Sequence, residues 1–522
     1  MKRKLPIGIQ GFEGLRNDGY IYVDKTAYLY QLAHEGKPYF LSRPRRFGKS
    51  LLLSTMKAYW EGKRELFEGL KIAELESDNP DAWKSYPVFY FDFNGVNYQE
   101  TGALEESLNI QLKRWESNYG CKSENSTLSE RFQNLLLAAR EQTGLRCVIL
   151  VDEYDKPLLD VIENKALQEH NKEVFKGFFS TLKSFDEYIQ FIFITGVSKF
   201  HKVSIFSDLN QLRDISINEE YSGICGITED ETGENFHEEI VAFAKRRDMT
   251  IQECRDALKK QYDGYRFHQA GESVYNPFSL LSALEDQEFG SYWVATGTPT
   301  FLVRKLRIER FDVRSFTDHT IYADESTLKD YTGDSLDAVP LLYQTGYLTI
   351  VDADAATGQL TLGFPNDEVK YGFLESLLPM YAPDAIASGN DIFSLHNCIK
   401  RGDTEEMKDI LMSLLATLPY SSGKTPFEQY FEIAVYLIFT LLGKITKSEV
   451  HSAKGRADCI VETQDFVYLF EFKLDKSADE ALAQIEEKQY ALPYAADARK
   501  LYKIGVNFDS KERNITEWKV RK

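Results

Sequence analysis

The sequence predicts an α/β protein in three parts, each indicated by its own pattern of apolar residues. The N-terminal part alternates continuous apolar runs with stretches of helix length, which is typical of a parallel sheet covered on both faces. The middle part reads as mostly helical, and the C-terminal part combines strand-like runs with helices in a compact α/β unit. The predicted domains are 1–270, 271–420 and 421–522, and the N-terminal strand runs are 37–42, 86–94, 146–152 and 190–197.

Length and composition indicate a globular protein of several domains. A chain of 522 residues is too long for one ordinary core, and 43% hydrophobic with 27% charged residues is the composition of folded domains. The apolar run "AVYLIFTLLG" has about half of the roughly 20 residues that a membrane-spanning helix needs. The six cysteines show no C-x-x-C spacing, so a reducing environment is expected. These features predict a cytoplasmic protein without a secretory signal or a membrane partner.

The net charge of −19 is unevenly distributed along the chain. Residues 421–522 contain 16 Lys and Arg and 16 Asp and Glu, so the first 420 residues carry the whole excess of negative charge. An acidic protein cannot coat nucleic acid with its entire surface. Any contact with a phosphate backbone is therefore expected to be local and to use the C-terminal domain.

The middle and C-terminal parts contain recognisable local signals. Residues 341–366 read as a helix end followed by a hairpin, for which a winged helix is one interpretation, either as a connector or as a DNA reader. Residues 419–426, "PYSSGKTP", are a predicted linker. Beyond it we expect a helix over 427–443, three strands and a helix over 478–490.

The C-terminal hairpin places side by side charged residues that are costly to bury. If "CIVET" and "FVYLFEFK" pair as antiparallel strands around a turn at 464–465, Asp458 lies directly opposite Glu471, with Cα atoms about 4.5–5.5 Å apart. Lys473 lies two residues further along and shares that face. Facing carboxylates repel, but a magnesium ion between them would turn the repulsion into binding, and Lys473 could then orient the attacking water or offset phosphate charge. An ion cluster without chemistry is the alternative.

A second pattern near the start indicates a phosphate-binding loop. "LSRPRRFGKSLLLSTMKAYW" (41–60) follows an apolar strand, and Gly48, Lys49 and Ser50 match the end of such a loop, with Lys49 reaching phosphates and Ser50 reaching Mg²⁺. Arg43 stands where the first glycine is usual, and an arginine there is expected to narrow the phosphate cradle. A surface turn is the alternative.

Two further strand ends favour the nucleotide interpretation. "CVILVDEYD" ends in Asp152, which would hold Mg²⁺ through water, and Glu153, which would polarise the attacking water. "FIFITGVSKF" places Thr195 at a strand end, where a polar side chain can sense the terminal phosphate. Acids and hydroxyls at strand ends also occur without such a role, as simple caps.

The C-terminal pattern resembles the PD-(D/E)XK nuclease superfamily. The resemblance rests on Asp458, twelve intervening residues and then Glu471-Phe472-Lys473, between a helix and a second helix that carries Gln484. It implies that Asp458 and Glu471 bind Mg²⁺ and that Lys473 assists water attack on a phosphodiester. It further implies catalytic roles for Gln484 and for an acid of the first helix, matched best by Glu428, with Glu432 one turn on. Ala457 replaces the family's Pro, and Lys488 stands where some subfamilies have Tyr.

The N-terminal part resembles the AAA-ATPase-like P-loop family of prokaryotes. The matching stretches include "LPIGIQGFEGLR", "YVDKTAYL", "LSRPRRFGKSLLLSTM", "VDEYDKP", "TGVSKF", "YDGYRF" and "YNPFSLL". An arginine-rich loop is typical of that family, and the resemblance implies phosphate contacts from Arg45 and Arg46. Many members carry a nuclease-like domain at the C-terminus.

Two functions remain open at the level of sequence. The first is an ATP-binding protein that couples a P-loop ATPase domain to a Mg²⁺-dependent nuclease domain acting on nucleic acid, with DNA favoured over RNA. The second is an ATP-dependent switch or scaffold whose nuclease-like domain is catalytically silent. Both need ATP and Mg²⁺, and neither fixes whether the chain forms a homo-oligomer.

Overall fold

The computed structural model divides the chain into two compact units. One unit comprises Met1–Gly297 with Ile321–Glu368, and the other comprises Thr298–Thr320 with Val369–Lys522. The predicted middle domain is therefore shared between the two units. The residues that the structure describes are 3–36, 38–121, 126–199, 202–206, 209, 212–296, 302, 321–329, 338–381, 389–416, 436–442, 450–451 and 458–522.

A five-stranded parallel sheet forms the centre of the first unit. Its strand order is β2-β3-β4-β1-β5, and all four strand pairings are parallel. The predicted α/β fold and all four predicted strand runs are confirmed, and β5 is a short addition. Because β4 lies between β1 and β3, the carboxyl ends of these three strands share one edge of the sheet. The strands are β1 (Tyr39–Ser42), β2 (Val88–Asp92), β3 (Cys147–Asp152), β4 (Ile189–Gly196) and β5 (Arg213–Asp214).

Aromatic side chains pack the helices against the faces of the sheet. The β2 residue Phe91 is fully buried and meets Trp115 and Phe132 edge to face, with ring centroids 4.9 and 5.3 Å apart. On β4, Phe191 lies 5.4 Å from the Trp60 ring. Rings packed in this way add specific contacts to the burial of their area and so help to hold the helices on the sheet.

Three helices form a separate layer of the first unit, and each begins at a side-chain cap. Thr228 and Thr250 start two of them with complete capping boxes, which close on Glu231 and Glu253. Asn276 caps the third and is followed by Pro277 at its first position. These helices, Glu229–Arg246, Ile251–Tyr262 and Pro277–Asp286, share a buried core with Leu5.

The remaining helices of the first unit pack on the sheet or connect its strands. They are Phe12–Asn17, Thr26–Glu35, Lys49–Trp60, Lys71–Leu75, Ala103–Tyr119, Leu128–Thr143, Lys156–Leu159, Lys165–Phe179, Thr181–Ser184, Lys202–Ile205, Tyr292–Ala295, Glu325–Lys329 and Val339–Thr345, with 3-10 turns at Arg64–Phe67 and Asp186–Tyr188.

A small antiparallel sheet follows these helices, in the order β6-β8-β7. Its strands are β6 (Ile321–Ala323), β7 (Thr349–Asp354) and β8 (Gln359–Gly363). The predicted helix end and hairpin over 341–366 are confirmed. The helix Val339–Thr345 stops at Gly346, whose φ of 90° is left-handed and whose missing side chain leaves room for Pro44.

The second unit is built on a mixed sheet in the order β13-β12-β11-β10-β9. Only β11 and β12 pair in parallel. Its helices are Gly389–Arg401, Thr404–Ala416, 436–442 and Ala478–Glu487, the 3-10 turn is Leu492–Tyr494, and the helix Asp367–Tyr381 begins just before this unit. The strands are β9 (Val450–His451), β10 (Cys459–Glu462), β11 (Phe466–Leu474), β12 (Lys500–Asp509) and β13 (Asn514–Arg521).

Two of the predicted segments lie wholly or mostly outside the described residues. The predicted linker 419–426 lies outside them, and so does most of the predicted helix 427–443, of which 436–442 is helical. The predicted C-terminal helix is present as Ala478–Glu487. Among the helices of the described ranges, none has the length and apolar character that a bilayer crossing requires.

Close approach between the helix Ala478–Glu487 and the sheet depends on Gly505. This residue pairs with Glu471 across β12 and β11. A Cβ atom added there would overlap the carbonyl oxygen of Ala478 and lie 2.8 Å from Leu482 Cγ. The absent side chain therefore lets the helix pack closely on β12, beside the strand that carries Glu471.

We expect Gly505→Ala to lower the free energy of unfolding of the second unit by about 1–3 kcal/mol, because the added methyl overpacks the helix–sheet contact. Gly177→Ala is the control, since an added Cβ there meets no atom of the described residues within 4 Å beyond its chain neighbours and its own helix backbone. Urea unfolding with hydrogen exchange of the β11 and β12 peptides measures both variants. Equal stability of the two variants would contradict the packing role of Gly505.

Candidate functional site

The hairpin of β10 and β11 has the predicted register. Cys459 pairs with Phe470 and Glu462 with Val467, and Thr463 closes the turn by accepting and donating bonds with Phe466. Continuing this register by one residue places Asp458 opposite Glu471. The one-residue slip that would separate the two acids does not occur.

Glu471, Lys473 and Gln484 form one connected group. Lys473 Nζ donates to Glu471 Oε1 at 2.9 Å and to Gln484 Oε1 at 2.7 Å. The Asp458 carboxylate is held by the neighbouring strand, because the backbone N–H of Phe472 donates to Asp458 Oδ2 at 2.8 Å. The hairpin and the helix Ala478–Glu487 thus bring together all four of these predicted residues.

The opposite face of β11 is apolar. Phe470 and Phe472 have ring centroids 4.9 and 6.2 Å from Phe439, which lies in the helical segment 436–442. Alternation along the strand therefore separates a packed face from the face that carries Glu471 and Lys473. The two phenylalanines thus pack against this helical segment.

The electrostatics of Glu471 favour a cation. The side chain is fully buried, and burial, followed by the nearby Asp458 carboxylate, raises its pKa above the usual range. The hydrogen bond and charge of Lys473, and a hydrogen bond from the backbone N–H of Asp458, act in the opposite direction. Glu471 Oε2 is buried and accepts no hydrogen bond from any described residue. A buried carboxylate oxygen beside a second carboxylate fits a divalent ion, which takes oxygen ligands.

Two of the sequence-predicted acids cannot be placed. Glu428 and Glu432 lie outside the described residues. Within the described ranges, no group of three or more His, Cys, Asp or Glu side chains has the arrangement of a metal site. The described part of the candidate site therefore consists of two acids, one amine and one amide.

The first unit places the phosphate-binding loop between β1 and the helix Lys49–Trp60. Gly48 has a left-handed φ of 92°, and no side chain of the described residues caps the helix, so its first N–H groups remain available for an anion. The Lys49 side chain is only 3% exposed, and its Nζ donates to the carbonyls of Arg43 and Pro44 at 3.0 and 3.2 Å. The same Nζ lies 3.3 Å from Glu153 Oε1.

Asp152 is buried beside this loop and held by hydroxyl groups. Thr195 Oγ1 donates to Asp152 Oδ1 at 2.9 Å, Tyr90 OH donates to Asp152 Oδ2 at 3.2 Å, and Ser50 bonds the same carboxylate. Burial, followed by the charge of Glu153, raises the pKa of Asp152, which the bonds from Ser50 and Thr195 oppose. Ser50, Asp152 and Thr195 therefore form one polar cluster at the carboxyl edge of the sheet.

A cavity of about 450 Å³ adjoins the loop, a size that accommodates a nucleotide. Asp152 and Thr195 are not among the residues that line it, whereas the other predicted nucleotide residues are. Its polar wall contains Arg45, Arg46, Gly48, Lys49, Ser50 and Glu153. Its apolar wall contains Ile9, Val23, Ile227, Phe236, Phe278 and Leu281.

The expectation that Arg43 narrows the phosphate cradle is wrong. The Arg43 side chain is 1% exposed and donates to the carbonyls of Ser42, Ser216 and Tyr221 at 2.9, 2.7 and 3.1 Å. Its guanidinium also lies 4.0 Å from the centre of the Phe267 ring. Arg43 thus belongs to the core under the loop and leaves the cradle open.

Sequence reasoning missed several contributors to the site. Tyr90 touches Asp152 only because β2 neighbours β3. Asp155 is fully buried, and it accepts from the N–H groups of Val197 and Ser198 at 3.1 and 2.6 Å. Burial raises the pKa of Asp155 to about 6. The sequence offered one signal for such residues. Asp155 lies in "VDEYDKP" and the cavity residue Ile9 lies in "LPIGIQGFEGLR", and both stretches resemble the AAA-ATPase-like family.

The two units define two classes of domain. A parallel sheet with a phosphate-binding loop after β1 and acids at the end of β3 is a P-loop nucleotide-binding domain. A β-hairpin with facing acids, a lysine two residues on and a following helix is a PD-(D/E)XK-type domain.

Comparison with known proteins leads to the same two classes. Residues 6–206 match the family model described as "Predicted AAA-ATPase", and residues 426–518 match the PD-(D/E)XK nuclease superfamily. The chain is 35% identical over 530 residues to the "Uncharacterized protein in vnfD 5'region" of Azotobacter chroococcum mcd 1, with 99% of each chain covered. No solved structure matches the chain significantly. The protein therefore belongs to the AAA-ATPase-like family with a C-terminal PD-(D/E)XK nuclease superfamily domain.

We expect Arg43→Gly, which restores the usual glycine of the loop, to destabilise the first unit instead of opening the site. The change leaves three carbonyls without their donor and creates a cavity, which costs about 3 kcal/mol or more. Arg45→Gly is the matched control at an exposed position and should cost about 1 kcal/mol or less. Urea unfolding, with hydrogen exchange in β1 and β4, measures both. A stable Arg43→Gly protein with tighter ATP binding would contradict this assignment.

Proposed function

We propose that this protein binds and hydrolyses Mg²⁺-ATP in its first unit and cleaves phosphodiester bonds of nucleic acid, with Mg²⁺, in its second unit. The observation that carries the nuclease proposal is the buried Glu471 carboxylate, whose Oε2 accepts no hydrogen bond from a described residue while Asp458 stands opposite. DNA is the substrate proposed first. The even balance of charge over 421–522 supports contact with nucleic acid at this unit.

In the second unit, Asp458 and Glu471 would hold the Mg²⁺ ion. When bound, this ion supplies Lewis acidity and a water molecule of lowered pKa. Lys473 Nζ has three hydrogens, two of which are directed to Glu471 and Gln484. The third can donate to the attacking water or to the phosphate and offset its growing negative charge. Gln484 acts by fixing the direction of the amine.

In the first unit, Lys49 and the N-terminus of its helix would bind the phosphates. Ser50 and Asp152 would hold the Mg²⁺ ion of the nucleotide, which draws charge from the terminal phosphate when bound. Glu153 would orient the attacking water, and Thr195 connects the end of β4 to Asp152. Because Lys49 pairs with Glu153, arriving phosphates would compete for its amine and release the Glu153 carboxylate for its role.

Lys473→Ala and Asp458→Ala should each lower cleavage of plasmid or single-stranded DNA by about 100-fold or more, because each removes a group that acts at the reacting phosphate. ATP affinity should remain that of the wild type. Lys476→Ala is the matched control, since its exposed lysine lies three residues from Lys473. Gel assays with Mg²⁺, extended to RNA, measure cleavage, and calorimetry measures ATP affinity.

Identical behaviour of wild type and Lys473→Ala on every substrate would remove the cleavage proposal. ATP hydrolysis without nuclease activity would favour the alternative, a nucleotide-dependent switch or scaffold with a catalytically silent nuclease-like domain.

Lys49→Ala should weaken ATP binding by about 10-fold or more, because it removes a buried cation from the phosphate site. Lys57→Ala is the control, since that lysine lies on the same helix with 44% of its side chain exposed. Calorimetric titration of both proteins with Mg²⁺-ATP provides the measurement. Equal affinities would mean that the cavity is not the nucleotide site.

A further inference from the structure

Five cationic side chains line the cavity beside the phosphate-binding loop, and they fall into two groups. Three of them are lysines, and each faces a carboxylate that compensates its charge. The three pairs are Lys25 with Glu231 at 2.6 Å, Lys49 with Glu153 at 3.3 Å and Lys156 with Asp160 at 2.8 Å.

The other two cations are Arg45 and Arg46, and no carboxylate of the described residues pairs with either of them. Neither guanidinium makes an ion pair or a hydrogen bond with any residue in the part of the chain that the structure describes. Both side chains are exposed and both line the cavity. In a chain with a net charge of −19, acids are abundant, so two unpaired arginines on one loop are available to an anionic ligand.

The backbone of this loop is held by packing on both sides of the arginines. Trp293 Nε1 donates to the Arg45 carbonyl at 3.1 Å, and the Arg46 guanidinium lies 4.9 Å from the centre of the Phe278 ring. Phe47 packs between two rings, with centroids 4.7 Å from Tyr265 and 5.6 Å from Phe267. A loop that is already ordered loses little entropy when its arginines engage a ligand.

The position of the arginines favours the terminal phosphate. Lys49 Nζ, which in P-loop proteins reaches the β- and γ-phosphates, lies between the Pro44 carbonyl and the Glu153 carboxylate. Arg45 follows Pro44 directly. The arginines therefore lie in the part of the loop next to Lys49 and Glu153, where Glu153 would orient the attacking water.

We propose that Arg45 and Arg46 bind the terminal phosphate of the nucleoside triphosphate in cis. The loop thereby selects triphosphate over diphosphate and supplies the positive charge that many P-loop enzymes receive from an arginine of a partner. Because Mg²⁺-ATP is a dianion, two guanidinium groups balance its charge. The inference rests on the proposed ATP site and concerns how that site recognises its ligand.

The test uses the full-length chain with Arg45→Ala, Arg46→Ala, the double alanine variant and the double lysine variant. Arg64→Ala is the matched control, because Arg64 is exposed in the same unit and does not line the cavity. Calorimetry gives the affinities for Mg²⁺-ATP and Mg²⁺-ADP, and phosphate release gives turnover. Each alanine variant should bind ATP about 10-fold more weakly, whereas its ADP affinity should change by less than about 3-fold. The lysine variant should retain part of the selectivity, and Arg64→Ala should match the wild type.

Mixing separates action in cis from action in trans. The double alanine variant is combined with Lys49→Ala, and the mixture should hydrolyse no more ATP than the sum of the two proteins alone. Turnover above that sum would show that arginines act across copies and would overturn the inference.

The remaining outcomes are also decisive. Equal losses of ATP and ADP affinity would overturn triphosphate selection, and so would variants that lose nucleic-acid binding while both nucleotide affinities persist. If the wild type hydrolyses ATP and the arginine variants match it in affinity and turnover, this inference alone is overturned. Absence of ATP binding by the wild type overturns the proposed function itself.

Discussion

The buried carboxylate of Glu471 is the constraint on which the second unit depends. An ionised carboxylate without access to water costs several kcal/mol unless partners replace its hydration. Lys473 satisfies one oxygen, and the other accepts no hydrogen bond from a described residue. The hairpin register, the approach of the helix over Gly505 and the amide of Gln484 all serve to hold this arrangement. A site built in this way sacrifices stability for a pair of acids that a divalent ion can bridge.

In the first unit, the loop after β1 is the proposed anion site, and a different set of contacts holds it. Loops that cradle phosphate usually depend on glycine for close backbone approach, whereas here core packing holds most of the loop. Arg43 is committed to three carbonyls beneath the loop, and Phe47 is fixed between two rings. Arg45 and Arg46, which line the cavity, make no ion pair or hydrogen bond through their guanidinium groups with the described residues. This distinguishes arginines that build the loop from arginines that are available to a ligand.

Features that repeat along the chain were predictable from sequence, and features that depend on distant contacts were not. Strand periodicity sufficed to place Asp458 opposite Glu471 and to bring Lys473 to the same face. The parallel strands and the loop at Gly48 followed from apolar runs and local spacing. The burial of Arg43 could not be predicted, because its acceptors Ser216 and Tyr221 lie more than 170 residues away. The bond between Tyr90 and Asp152 likewise requires the order of the strands, and the apolar cavity wall comes from segments far apart in the chain.

The central claim is that Asp458 and Glu471 share one divalent cation beside the amine of Lys473. Anomalous diffraction from crystals soaked in Mn²⁺, which replaces Mg²⁺ and gives an anomalous signal, tests it most directly. The account predicts a peak within metal–oxygen bonding distance of both carboxylates, in contact with Glu471 Oε2. A Mn²⁺ ion bound elsewhere in the second unit, or no peak at saturating Mn²⁺, would contradict it.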